Sequence, residues 1–291
     1  MKIILEKFKT IYSLKEIKEN GYQVNAAIPQ VGKCSYCNKE FEPKGVLNPI
    51  NNTISIFIVD EKCDCDEFQK MEKEIKEKRE KQLLEDFENY RKQEINKKVK
   101  RLYGLDFITN QFKRQTLENF IINSENAKTK LAAQKFLEKY KDMKKGIIFV
   151  GKNGTGKTHI STAICNELIK ENVPVIFGTL TELLDKYKEC YKNYTDGELT
   201  KLYSKVDLLV IDDLGVETMN EWMLSKLFVI VNERMKNELP IIITTNYDID
   251  QLKKRLTIPN KVCETTNSII SRLCYMCYRV ECKGKDYRIY K

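Results

Sequence analysis

Residues 151–158 read "GKNGTGKT", which fits G-x-x-x-x-G-K-[ST], and they follow the apolar run "GIIFV" at 146–150 directly. These residue types suit the binding of a chain of phosphates. Gly151, Gly154 and Gly156 let the main chain curl so that its N–H groups point inward. A helix opening at Lys157 adds the positive end of its dipole. With Asn153 and Thr155 completing the loop, Lys157 is expected to neutralise the β and γ phosphates and Thr158 to offer its hydroxyl to Mg²⁺. The only histidine, His159, falls in the opening helix and reads as a packing or surface residue.

Some fifty residues on, "DLLVIDDLG" sets Asp212 and Asp213 at the end of a short apolar strand. There Asp212 can hold Mg²⁺ through water and Asp213 can act as general base on an attacking water. The next strand, "PIIITTNYD", ends in Thr244, Thr245 and Asn246. A polar side chain at the carboxyl end of a neighbouring parallel strand can orient that water. Asn246 reads equally well as a turn former before Asp248.

Cysteines make a second constellation. Cys34 and Cys37 in "GKCSYCNKE", and Cys63 and Cys65 in "EKCDCDE", give C-x2-C, 25 residues, C-x-C. The turn-forming text around the first pair lets main chain curl about a metal, which predicts a tetrahedral four-thiolate zinc site. A metal also supplies the stability that some thirty-five residues cannot bury for themselves. Cys263, Cys274, Cys277 and Cys282 sit instead among Leu273, Tyr275, Met276, Tyr278 and Val280. That context predicts a packed helix running into a strand, with cysteine as a small hydrophobe.

The elements that must position these groups follow from periodicity. Residues 1 to about 30 read as polar helix, with Ser13 and Glu16 at capping-box spacing and Gly21 as the stop. "TISIFIV" (53–59) alternates Ile54, Ile56 and Ile58, and "NPINN" before it supplies a hairpin turn. From Glu67 to Arg101 there is no glycine or proline, and Met71, Ile75, Leu84, Phe87, Ile95, Val99 and Leu102 recur near helical spacing. One long amphipathic helix is expected, its basic end ("RKQEINKKVKR") either a solvated linker or a phosphate contact. Beyond residue 105 short apolar strands at 146–150, 173–178, 207–213 and 240–245 alternate with helices from Lys157, from Thr181 and across 219–238. This alternation predicts a parallel sheet covered on both faces. Lys186, Lys188 and Lys192 interleave with Tyr187, Tyr191 and Tyr194, a pattern that suits nucleic acid or a solvated face with half-buried tyrosines.

The chain of 291 residues carries 51 basic and 42 acidic side chains, a net +9 compatible with nucleic acid as partner. No apolar run approaches the roughly 18–20 residues of a membrane span, and the N-terminus lacks the apolar core of a secretory signal. A cytoplasmic protein with reduced thiols is expected.

"GKNGTGKTH", "DLLVIDDLG", "IIITTNYD" and the closing "SRLCYMCYRVECKGKDYR", in this order and spacing, resemble the AAA+ ATPases of the DnaC, DnaI and IstB group. The likeness begins near Phe107, in "FITNQFKRQTLENF". It implies an α/β AAA+ P-loop domain at 105–291, preceded by a zinc-bearing domain at 1–66 and a linker helix at 67–104. It also implies ATP as cofactor and an ATP-dependent oligomer. Within it Arg272 serves as an arginine finger toward a neighbouring subunit, and Arg288 contacts phosphate in its own. Asp213 departs from the wider AAA+ pattern, where Glu often stands; a side chain shorter by one methylene implies slower hydrolysis. The zinc-bearing N-terminus resembles the helicase-loader branch, bacterial or phage, whose partners are a hexameric replicative helicase and single-stranded DNA. The alternatives are an IstB-like transposition helper and an ATP-switched adaptor with little turnover.

Overall fold

The structure is a computed structural model and describes residues 11–48, 53–59, 62–103, 110–189, 196–259, 264–287 and 289. Arg288, Cys263, Tyr191, Lys192, Tyr194, the Lys188 side chain, and the turn residues 49–52 lie outside the described residues. The chain divides into two compact units, residues 1–87 and 88–291.

The first unit opens with strand β1 (Ile11–Ser13), helix α1 (Leu14–Glu19) and strand β2 (Gln23–Val24). Of the polar helix expected over residues 1 to about 30, residues 1–10 lie outside the described residues, and the described remainder holds one short helical segment with strands at either side. Its start is as read: the Ser13 hydroxyl accepts from the Glu16 amide, and the Glu16 carboxylate accepts from the Ser13 amide at 2.9 Å. Gly21, at φ 66°, lies just beyond its end. Strands β3 (Gly32–Lys33) and β4 (Glu40–Phe41) pair antiparallel, and β5 (Lys44–Asn48) and β6 (Thr53–Ile58) form the longer hairpin. A four-stranded sheet results, ordered β1-β5-β6-β2.

The alternation expected along β6 is broken. Leu47 pairs with Ile54 but Val46 pairs with Ile56, so Ser55 is an extra residue on that strand. One inserted residue inverts every side chain after it. Ile54 is therefore fully buried, against Ile17 and Gly45, while Ile56 and Ile58 are exposed.

Helix α2 (Asp66–Tyr103) runs 38 residues. Its apolar positions do not make one buried stripe, which corrects the amphipathic expectation: Leu84 and Phe87 are 66% and 68% exposed, whereas Val99 is 2%. Nine residues at about 100° each separate Ile75 from Leu84 by half a turn, so the two point to opposite sides. In the part belonging to the second unit, Val99 is core, and Ile95, Leu102 and Tyr103 pack on it. There Arg91 pairs with Asp207 at 2.8 Å, so one cation of the basic stretch is held by protein.

In the second unit, α3 (Asn110–Lys113) and α4 (Ala127–Glu138) precede strand β7 (Gly146–Val150) and helix α5 (Lys157–Lys170). Strand β8 (Val175–Thr179), helices α6 (Leu180–Glu189) and α7 (Asp196–Lys205), and strand β9 (Leu208–Asp212) follow. Helix α8 (Glu221–Lys236), strand β10 (Ile241–Thr245), helices α9 (Ile249–Leu256) and α10 (Glu264–Met276), and strand β11 (Cys277–Glu281) complete it. The five strands are all parallel, ordered β11-β7-β10-β9-β8. Alternate residues of each strand serve opposite layers. Ile147 and Phe149 pack with Phe136 of α4 and Ile160 and Ile164 of α5, while Ile148 and Val150 join the cluster built from α6 to α10. The apolar runs of β7, β9 and β10 are the consequence of this two-sided burial, whereas edge strand β11 exposes Tyr278, Arg279 and Glu281.

At the amino ends of β9 and β10, Arg234 of α8 is fully buried. Its guanidinium donates to the carbonyls of Tyr203 (2.9 Å), Val206 (2.7 Å), Asp207 (3.3 Å) and Pro240 (2.5 Å). A permanently charged fork with several donors can satisfy carbonyls from two strand approaches at once. Among the described residues, no helix is long and apolar enough to cross a membrane.

Candidate functional site

The phosphate loop lies between β7 and α5, at the carboxyl edge of the sheet. Gly154 and Gly156 take φ of 71° and 89°. Backbone in that region strains any L side chain, which accounts for glycine at both places. Gly156 caps the 14-residue α5, whose amino terminus therefore opens onto the loop.

Lys157 is buried, and its ammonium donates to the carbonyls of Gly151 (2.9 Å) and Lys152 (2.8 Å) and to Asn246 Oδ1 (2.8 Å). Asn246 at the tip of β10 thus turns its side chain to the lysine. The following turn uses Asp248, which caps α9 in a capping box with Gln251. Thr155 is buried with its hydroxyl donating to the Lys152 carbonyl at 2.8 Å.

Thr158 Oγ1 donates to the two carboxylate oxygens of Asp212, at 3.2 and 3.0 Å. Thr244 Oγ1 donates to the same carboxylate at 2.5 Å and accepts from the Asp213 amide at 2.8 Å. Burial pushes the Asp212 carboxyl up to about 6, against the pull of the Thr244 and Thr158 hydroxyls. A hydroxyl and a carboxylate side by side are the hard oxygen ligands that Mg²⁺ takes, and a divalent cation beside Asp212 offsets the cost of its burial. The residues present therefore fit the metal.

Asp213 stands at φ 50°, a left-handed conformation uncommon outside glycine and often found at functional sites. Its side chain lines a cavity of about 270 Å³ together with Gly154, Lys157 and Thr158. Three further lining residues have no role assigned from the sequence: Phe112 and Gln115 of the lead-in segment and Tyr287 of the closing segment. His159 also faces this cavity as well as packing: its ring meets Phe120 edge-on and its Nε2 is 3.0 Å from the Thr116 carbonyl.

Arg272 is not among the cavity's lining residues. On α10 its guanidinium reaches Asn232 Oδ1 (3.1 Å) and the Ser268 carbonyl (3.0 Å) and stacks over Phe228 of α8 at 5.0 Å. Tyr187, one of the tyrosines read as a stacking candidate, is core, with its hydroxyl 2.9 Å from Thr200 Oγ1. Lys186 lies over the ring of Tyr103.

Two contacts at the site go beyond what the sequence implies; it places Thr244 at a strand end and leaves Glu217 without a role. Thr244 couples Asp212 to the Asp213 amide; its only sequence signal is a hydroxyl residue at the end of the strand neighbouring the acidic one. Glu217 Oε2 accepts from the Gly215 amide at 2.9 Å, bracing the loop after Asp213.

In the first unit the four thiols of Cys34, Cys37, Cys63 and Cys65 all lie within 4.8 Å of one another. Sγ of Cys34 is 3.8 Å from that of Cys65, and Sγ of Cys37 is 3.4 Å from that of Cys63. Four sulfurs about 2.3 Å from a common zinc lie about 3.8 Å apart, so the donor set and its spacing fit. Cys34 and Cys37 occupy the turn joining β3 and β4, where the Cys34 amide donates to the Lys39 carbonyl and Asn38 adopts φ 57°. Main-chain amides of Cys37 and Tyr36 pull the Cys34 thiol down to about 7, toward the thiolate that a metal takes. Cys65 directly precedes α2; the Phe68 amide pulls its thiol down, but burial and the neighbouring sulfurs of Cys37, Cys63 and Cys34 push it up to about 12, a cost that a metal among the four sulfurs removes. By contrast Cys274 is exposed near the end of α10, and Cys277 and Cys282 are buried at opposite ends of β11.

A glycine loop wrapped onto a helix start, an acidic strand end beside it and a parallel sheet in the order above define a P-loop domain of the AAA+ class. The chain belongs to the family of IstB-like ATP binding proteins, whose sequence model matches residues 110–291. It is similar to the replicative helicase loader DnaC of Escherichia coli strain K12, 29% identical over 195 residues that cover 65% of this chain and 79% of DnaC. A crystal structure of DnaI matches with 30% identity and a TM-score of 0.51, covering 62% of this chain and 94% of that one. The replication initiator DnaA bound to AMPPCP and single-stranded DNA matches with 27% identity and a TM-score of 0.51, covering 62% of this chain and 52% of that one.

Proposed function

We propose that the chain is a cytoplasmic, ATP-dependent loader that delivers a ring-shaped replicative helicase to single-stranded DNA. The observation that carries this reading is a four-thiol N-terminal unit preceding an ATPase module that resembles DnaC and DnaI. In this reading residues 1–66 grip the helicase, residues 67–104 connect, and residues 105–291 bind ATP. The thiolates of Cys34, Cys37, Cys63 and Cys65 would hold zinc, which supplies structural cross-linking and no chemistry.

In the ATPase module, the loop amides from Gly151 to Gly156 bind the phosphates, and Lys157 moves its ammonium from Asn246 and the loop carbonyls toward the β and γ oxygens. Thr158 and Asp212 would hold Mg²⁺, which supplies neutralisation of the phosphate charge. Asp213 takes a proton from a water that Asn246 orients. The water oxygen bonds to the γ-phosphorus, the bond from that phosphorus to the bridging oxygen breaks, and ADP and phosphate result. Arg272 of one copy reaches the γ-phosphate bound by the next, and Arg288 contacts phosphate within its own subunit. Hydrolysis in trans of this kind makes turnover depend on assembly, so DNA that aligns the copies raises the rate.

Phosphate release with and without single-stranded DNA tests this chemistry. Wild-type turnover is expected to rise with DNA, and Asp213→Asn to lower it by about 100-fold, the lower range for loss of a general base. An Asp213→Asn rate equal to wild type, or a rate untouched by DNA, favours the ATP-switched adaptor instead.

A further inference from the structure

Near the end of the described chain, Asp286 and Tyr287 press onto the crest of the phosphate loop. The Tyr287 amide donates to the Gly154 carbonyl at 3.1 Å. The Asp286 carboxylate is so close to Gly154 that a Cβ added there would lie 1.8 Å from Oδ1. At its other end the Tyr287 hydroxyl accepts from Asn123 Nδ2, with Asn126 Nδ2 at 3.5 Å.

Both amides are held in the orientation this requires. Asn123 Oδ1 accepts from the Glu125 and Asn126 main-chain amides, each at 2.9 Å, which leaves its nitrogen toward Tyr287. Buried Asn126 accepts from the Asn123 amide through Oδ1 at 2.8 Å and donates to the Ile121 carbonyl at 2.8 Å. The turn at 123–126 is thus a rigid mount. Between mount and crest, Tyr287 forms part of the cavity wall around Asp213, Lys157 and Thr158.

We propose that Tyr287 is a nucleotide-contacting residue, latched between the phosphate loop and the Asn123 mount, and that Asn123 is its positioning residue. The inference rests on the ATP-binding reading of this cavity. Tyr287 supplies a fixed aromatic wall for bound nucleotide, and its hydroxyl serves as the latch. Because the same residue bonds to Gly154, a nucleotide that settles the loop also settles the latch, and the reverse holds by linkage.

Equilibrium binding of fluorescent ATP to the full chain tests this. Tyr287→Phe removes the hydroxyl that Asn123 and Asn126 meet, and Asn123→Ala removes its bond to that hydroxyl together with those its Oδ1 accepts from the Glu125 and Asn126 amides; each is expected to raise Kd about fivefold, with the thermal midpoint kept in Tyr287→Phe. The double variant is expected to bind no worse than either single, because both changes break the same contact. Tyr287→Ala, which removes the wall as well, is expected to bind at least several times more weakly than Tyr287→Phe.

Kd within twofold of wild type for both single latch variants overturns the proposal. Effects that multiply in the double variant overturn the latch, and equal Kd for Tyr287→Ala and Tyr287→Phe overturns the wall. Wild-type chain that fails to bind ATP at all refutes the underlying reading, a result distinct from wild-type binding that the variants leave unchanged.

Discussion

Lys157→Ala is expected to weaken ATP binding by at least about 100-fold, or some 2.7 kcal/mol, while the sheet and its helices remain folded. Its ammonium is buried and already meets three oxygens, from Gly151, Lys152 and Asn246, within 2.9 Å. A lysine so placed is a point charge aimed across the mouth of the loop. Loss of that charge removes the one cation built into the loop itself and leaves its amides, with the Mg²⁺ that Thr158 and Asp212 would hold and Arg288, to offset the phosphates beside the carboxylates of Asp212 and Asp213. Titration with fluorescent ATP reads the effect directly. Retained affinity would mean that the phosphates are held without Lys157. Circular dichroism separates it from misfolding, since the alanine variant keeps Gly156 as cap and Thr158 in helix α5.

The second large effect concerns the four thiols. Chelation of the metal, or Cys34→Ser, is expected to unfold residues 11–65 and leave β7 to β11 intact. Among its described residues the first unit buries little besides Ile17, Pro43, Gly45, Thr53, Ile54 and the thiols of Cys34 and Cys63. A core of that size falls short of the conformational entropy of ordering the chain, whereas structural zinc contributes roughly 10–16 kcal/mol to folding in small domains. Metal analysis is expected to give one zinc per chain, lost in Cys34→Ser and kept in Cys277→Ser. Cys277 is buried with its Sγ 3.5 Å from the Ile241 carbonyl, the setting of a packed small side chain, so its loss is expected to leave the zinc in place. Hydrogen exchange maps the unfolding. Two zincs per chain, or unchanged protection in residues 11–65 after chelation, contradict the expectation.

The nucleotide site was legible because its chemistry is local. Three glycines, a lysine and a threonine lie within eight residues, and two of those glycines carry the left-handed angles that the spacing implies. Strands β7, β9 and β10 were legible too, since burial on both faces writes itself as an unbroken apolar run. What stayed hidden depends on distant pairing. The inserted Ser55 sends Ile56 to the surface through its register against Val46, and nothing in "TISIFIV" announces a bulge. No single stripe forms on α2 because neighbouring apolar positions are near helical spacing while the phase turns by half a turn over the nine residues from Ile75 to Leu84. Tyr187 looked like a surface aromatic among lysines, yet Tyr203, Trp222 and Thr200 enclose it from elsewhere in the chain. Tyr287 reaches the site only because β11 returns the chain to the edge of β7.

The most direct test of the loader reading is a strand-separation assay on circular single-stranded DNA bearing an annealed oligonucleotide, with the replicative helicase supplied as closed rings. Without free ends a ring must be opened to enter. Release of the oligonucleotide is expected to require both the wild-type chain and ATP, and to fall to the helicase-only level with Lys157→Ala. Release that is equally fast with no chain present, or with Lys157→Ala in place of wild type, contradicts ATP-dependent loading by this protein.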